Sequence, residues 1–165
     1  MRKILLIAKL YVSAALMTAP IALGQGEETP APLDYFSEYP GVYSGSYVCA
    51  NGENGMTISF DRIEDIHAAS WPPTADVEAR LWFYDIAGNP GHPSGAFALR
   101  GLYRNDMLEA EPTGWLREPV TRWGYAGIEG EFKLDTTGRM TFAGRPIGPG
   151  TSSCEPFTLF RLDGL

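Results

Sequence analysis

The sequence predicts an all-β fold, a small antiparallel eight-stranded barrel or sandwich closed by one disulfide, on three observations. Beyond Gly41 the dominant hydrophobic period is two, as in the run Met56-Thr57-Ile58-Ser59-Phe60-Asp61, which marks strands with one buried face. Gly, Pro, Asn and Asp cut the chain into short segments throughout, the usual pattern of antiparallel sheets. The chain has 2 cysteines, Cys49 and Cys154, and they lie at the two ends of the β-rich region.

The strands follow in order. Residues 42–50 form the first and residues 56–61 the second, with NGENG (51–55) between them. That run is too short for anything but a hairpin, and Asn-Gly supplies the positive φ such turns require. Further strands are read at 77–86, 95–103, 106–111, 124–135, 138–144 and 155–162. The single stretch with helical character is IEDIHAAS, residues 63–70. Closure is preferred over an open sandwich, because a small sheet with free edges invites pairing between molecules.

The cysteines argue the same way, since Cys49 ends the first strand and Cys154 precedes the last. In a closed sheet those strands are neighbours. In the chain-entropy model a bridge closing a loop of about 105 residues stabilises the fold by on the order of 4–5 kcal/mol.

The first two dozen residues predict export. Arg2 and Lys3 precede the apolar run ILLIAKLYVSAALMTAPIALG, and Ala22-Leu23-Gly24 places small residues at a cleavage site, the three parts of a signal peptide. Lys9, Ser13, Thr18 and Pro20 interrupt the run, which leaves it short of the roughly 20 apolar residues of a spanning helix. Residues 1–24 are therefore read as a signal peptide, with no membrane segment after its removal. Residues 25–40 are rich in Pro and Glu and read as a flexible leader, the folded part beginning near Tyr39. The β-domain is placed at 41–163, in a periplasmic or secreted protein in which an oxidised cysteine pair is the expected state.

Charge narrows the partners. The chain has 13 basic and 20 acidic residues, and residues 1–24 hold three of the bases and none of the acids, so the mature net charge is −10. Nucleic acid is excluded as a partner, because phosphate binding draws on clustered Lys and Arg and only Lys133 and nine scattered arginines remain. Acidity favours a basic protein or a cation, and it also keeps an exported monomer soluble.

Catalytic chemistry finds little support. His92, in NPGHPSG, could act as a base for Ser94, but no nucleophile elbow or orienting acid accompanies it. Asp61, Glu64, Asp65 and His67 bring donors together at a spacing that fits no zinc or EF-hand site. Glu109 with Glu111, and Glu129 with Glu131, are same-strand pairs that stand side by side on one surface, not across a cleft. No catalytic residue, metal or cofactor is expected.

Aromatic residues are the more suggestive feature. Trp115 and Trp123 bracket WLREPVTRW, Trp71 precedes two prolines, and Trp82 shares a strand face with Arg80 and Tyr84. Trp, Tyr and Arg concentrate binding energy at interfaces. In small β-folds tryptophans also close barrel ends or fill the core, and both readings stand. The two long irregular segments, 89–95 and 114–125, fall at one end of an up-and-down meander. They supply the candidate binding residues His92, Ser94, Trp115, Arg117, Trp123 and Tyr125.

Two resemblances follow from particular blocks. GVYSGSYVCANGENGMTISF, PSGAFALRGLY, GWLREP before GYAGIEGEF, and GRPIGPGTSSCEPFTLFRL resemble successive segments of a small exported bacterial β-domain, also found appended to caspase-like peptidases. That resemblance covers nearly all of 41–162 and implies fold and compartment without an activity; the VTRW run after Pro119 departs from it. Tyr47, Cys49 and Gly52 resemble the Tyr-x-Cys-x-x-Gly opening of the periplasmic inhibitors of C-type lysozyme. Ser94, Gly95 and Ala96 match part of the inhibitors' Ser-Gly loop, but Phe97 stands where a basic residue is expected. The sequence thus predicts a binding or inhibitory module of the cell envelope, with an envelope protein or glycan, or a basic protein such as lysozyme, as partner. A hydrolase of envelope polymer and a structural accessory domain are the alternatives.

Overall fold

The structure, a computed structural model, describes residues 35–66, 71–120 and 124–162. Eight strands, β1 (Gly41–Cys49), β2 (Gly52–Asp65), β3 (Thr74–Tyr84), β4 (Gly95–Arg104), β5 (Met107–Arg117), β6 (Gly127–Leu134), β7 (Met140–Ile147) and β8 (Phe157–Arg161), close into one barrel. Each pairs antiparallel with the next, and β8 returns to β1. Of the two architectures the sequence allows, the barrel is the one formed.

The seam between first and last strands is short. Tyr43 lies opposite Arg161 and Ser44 opposite Phe160, and main-chain bonds from Leu162 N to Val42 O and from Glu155 N to Val48 O, both 2.8 Å, extend it. Cys49 and Cys154 are bonded across this seam, with Sγ atoms 1.93 Å and Cα atoms 3.9 Å apart. Such a covalent tie belongs to a non-reducing environment.

Alternation decides what fills the barrel. Tyr43, Ile58, Val77, Leu99, Leu108 and Phe142 point inward from successive strands and are buried, and their removal from water is the main term holding the sheet closed. The interior is narrowed where β4 meets β5. A Cβ on Gly101 would stand 2.1 Å from the main-chain oxygen of Glu109, so only glycine allows the two backbones to approach this closely.

Four local readings change. Gly52 turns the chain at φ +100°, but the hairpin turn is Ala50-Asn51 alone, since Cys49 already pairs with Gly52. The second Asn-Gly pair lies within β2, where Asn54 is wholly buried and a Cβ on Gly55 would strike the Tyr84 ring at 2.1 Å. β2 also runs on through Ile63–Asp65, paired with Val77–Ala75, where a helical turn was expected. An irregularity between Phe60 and Arg62 leaves Asp61 and Arg62 both exposed and resets the alternation, which disguises the strand. His67 and the rest of that segment lie outside the described residues, as do the predicted signal peptide and residues 25–34.

The leader reading is corrected at its end. Phe36 is buried, and the Tyr39 ring stacks on Phe132 with centroids 4.6 Å apart. Phe36 meets Tyr103 edge to face at 5.6 Å, the Tyr43 hydroxyl donates to Tyr39 O at 2.8 Å, and Arg161 donates to Glu38 O at 2.7 Å. Residues 35–40 therefore plug the barrel end that carries the β4–β5 and β6–β7 turns. The fourth change concerns β5, which extends to Arg117 and makes strand of residues 114–117.

Candidate functional site

The opposite end is the mouth. The Ala50-Asn51 turn, the connections 85–94 and 148–156, and residues 118–120 and 124–126 all lie there by strand direction. The two irregular segments singled out in the sequence thus share one end, although the second begins only after Arg117.

The connection between β3 and β4 is latched to the first hairpin. Asn89 donates its amide to Asn51 O at 3.1 Å, Glu53 O at 3.0 Å and Asn54 Oδ1 at 3.4 Å. His92 Nδ1 lies 3.1 Å from Pro93 O and must donate to it. Its Nε2 then carries the lone pair and accepts from the Asn51 amide. Ser94 Oγ accepts from Arg117 Nη2 at 2.8 Å. His92 and Ser94 are thus tied to different partners, in two structural latches that do not compose a base and its nucleophile.

Trp115 projects inward from β5. Its ring meets Phe97 edge to face at 5.7 Å and Tyr125 at 5.0 Å, and lies 6.2 Å from Phe83. It packs against the core, so it closes one side of the mouth. Tyr125 is 42% exposed and carries the aromatic cluster out to the rim, and Leu116 and Val120 are exposed as well. Trp123 lies outside the described residues. Arg117 makes no ion pair among the described residues.

The other tryptophans stand away from the mouth. Trp82 is on the outer face of β3 beneath Arg80, whose guanidinium carbon lies 5.5 Å from the ring centroid, a cation–π contact. Trp71 is 83% exposed at the plugged end. Two acids of the DRIED segment meet arginines: Asp61 accepts two bonds of 2.7 Å from Arg80, and Glu64 pairs with Arg62 at 2.9 Å. The Arg80 hydrogen bonds hold the Asp61 carboxyl below its ordinary range, against a smaller opposing effect of burial.

Between these loops lies a cavity of about 370 Å³. Met56, Leu81, Phe83, Phe97 and Ile128 form its inner wall, and Asn51, Gly124, Tyr125, Thr151 and the Cys49–Cys154 bridge surround its opening. Tyr47 also lines it. Sequence reasoning missed Tyr47, though its signal was present, since it sits four residues after Tyr43 on the same inward face of β1. Burial pushes its phenol up to about 12. Among the described residues no hydrogen bond is made by its hydroxyl, and no buried side-chain polar atom is left without a partner; the hydroxyl is therefore accessible, on a residue that lines the cavity.

The chain matches no family model, no curated protein and no solved structure, so the mouth is understood from its own residues alone.

Proposed function

We propose that the protein is an exported binding or inhibitory module of the cell envelope, periplasmic or secreted, acting as a monomer through the mouth of its barrel. The observation that carries this reading is the asymmetry of the two ends. Phe36 and Tyr39 fill one end, whereas the other holds an open cavity with Asn51, Tyr125 and Thr151 at its opening, at the same end as the loop that bears His92 and Ser94. Arg117 adds a fixed positive charge to that rim in a chain whose formal net charge is −7. Side chains on loops carried by a rigid barrel are free of packing duties and suited to recognition. The disulfide fits the compartment, and the resemblance to lysozyme inhibitors supports a protein partner over a polymer substrate.

Affinity capture from envelope extracts tests the proposal, with mature protein and the variants Arg117→Ala and His92→Ala as baits. Arg117 is exposed, so its variant should stay within roughly 0.5 kcal/mol of wild type; His92 is half-buried and latched to Asn51 and Pro93, so its variant counts only where it is shown to be folded. Loss of the wild-type partner by either folded variant supports the mouth as the binding end. Full retention by both, or unfolding caused by Arg117→Ala, refutes it.

A further inference from the structure

The cavity has a chemical character that the rim does not share. One residue in five of this chain is charged, at 20%, yet among the described residues no Asp, Glu, Lys or Arg lines the cavity. A ligand with a formal charge would leave water with nothing to compensate it. The described lining therefore suits an uncharged occupant.

Size and lining narrow it further. An apolar cavity of roughly 150 Å³ holds one benzene ring, and this one, at about 370 Å³, has room for two. Phe83, Phe97, Tyr125 and Tyr47 present rings to it and Met56 a thioether, surfaces that favour aromatic faces and edges. The one polar side-chain atom offered from the β1 wall is the Tyr47 hydroxyl. Its raised pKa keeps it protonated through the neutral range, so it stands ready as a donor.

We infer that the mouth cavity binds an uncharged two-ring aromatic molecule carrying one hydrogen-bond acceptor, which the Tyr47 hydroxyl meets. The inference rests on the mouth being the binding end, and it adds a small-molecule site beneath the rim. The disulfide fastens one wall of that site and the Asn89 latch another, so the pocket is formed before the ligand arrives, as small-molecule sites usually are.

The probe is 2-propionyl-6-dimethylaminonaphthalene, an uncharged two-ring ketone whose emission shifts to the blue in apolar surroundings. Titration of the disulfide-bonded protein should give saturable, blue-shifted binding at micromolar concentration. Tyr47→Phe, which removes no hydrogen bond among the described residues, should weaken the ketone about 3- to 10-fold and leave 2-ethylnaphthalene, which lacks the acceptor, unchanged. Ala126→Trp, at the opening, should abolish both. Should that variant fail to fold, methyl resonances of Met56, Leu81 and Ile128 in the wild type provide an independent readout and should move on saturation.

Absence of saturable binding, binding without movement of those methyls, or an anionic anilinonaphthalene sulfonate binding as tightly as the ketone each overturns the inference. An equal loss of both naphthalenes in Tyr47→Phe removes the hydrogen bond from it. Partner capture that depends on Arg117 while the probe fails to bind would overturn this inference and leave the proposed function standing. Probe binding with capture indifferent to Arg117 and His92 would do the reverse.

Discussion

Asn89 donates its side-chain amide to the main-chain oxygen of Asn51, 3.1 Å away and 38 residues earlier in the chain. The same nitrogen reaches Glu53 O and the oxygen of the buried Asn54, so a single side chain holds one mouth loop against the neighbouring turn. Asn89→Ala leaves Asn54 Oδ1 without this donor and should cost about 1–3 kcal/mol. Asn89→Asp should cost at least as much, because it places a carboxylate against carbonyl oxygens. Urea denaturation checks both, and an alanine variant as stable as wild type would show the latch to be ornamental.

The bridge gives a second prediction. Cys49 and Cys154 are 105 residues apart and join strands that share only two register pairs. Replacing both by Ala should cost about 2–5 kcal/mol and loosen the seam and mouth ahead of the plugged end. Hydrogen exchange of β1 and β8 amides would reveal that order, and intact mass under non-reducing alkylation should find no free thiol in the folded wild type. Uniform exchange across the barrel in the variant would argue against a local role.

How far this was legible can be judged from particular residues. Met56, Ile58 and Phe60 announce a strand because period-two burial is a local property of sequence. The same rule fails one residue later, where Asp61 and Arg62 both face solvent and the irregularity between Phe60 and Arg62 imitates the end of a strand. Trp82 was ambiguous because its role is set by Arg80 on its own face. The cavity was illegible for a different reason: Tyr47, Leu81, Phe97, Ile128 and Thr151 come from five separate segments. Each reads as ordinary strand or loop until closure brings them together. Asn89 and His92 show the same limit, since loop latches follow no period.

A third prediction concerns the narrow side of the barrel. Gly101→Ala puts a methyl 2.1 Å from Glu109 O and 2.5 Å from Ala110 Cα, and main chain cannot swing aside as a side chain can. The cost should reach or exceed the usual overpacking range of about 1–3 kcal/mol. Gly88→Ala is the control, because a Cβ there meets nothing within 4 Å; it should be neutral or stabilising by up to about 1 kcal/mol through the unfolded chain. Equal melting temperatures for the two variants would contradict the close approach of β4 and β5.

Acid should weaken the outer face of β2 and β3. The Arg80 bonds lower the Asp61 pKa from an ordinary value of 3.8, so the folded state holds fewer protons there than the unfolded state. This contribution is complete above the unfolded value and is lost as pH falls through the lower folded one. The pair is partly exposed and is worth about 0.2–1 kcal/mol. Asp61→Asn should therefore be less stable than wild type at pH 7 and converge with it towards pH 2. A constant gap across that range would place the effect of the substitution outside the ion pair.

Alkali should act on the mouth with the opposite sign. Burial raises the Tyr47 phenol from 10.0 to about 12, so between those values the folded state keeps a proton that the unfolded state has released. Stability from this group is fully present below pH 10 and declines as pH rises towards 12. Tyr103 is raised by burial as well, at the plugged end, so wild type should carry both contributions and Tyr47→Phe only one. Denaturant midpoints taken from pH 8 to pH 11.5 should therefore fall less steeply in Tyr47→Phe than in wild type. The ring is retained and no hydrogen bond among the described residues is lost, so the two proteins should begin near the same midpoint at pH 8. A bound uncharged ketone should steepen the wild-type decline, because the phenolate can no longer donate to it. Parallel midpoint curves, with and without the ketone, would mean that the Tyr47 hydroxyl is not the buried donor that the cavity presents.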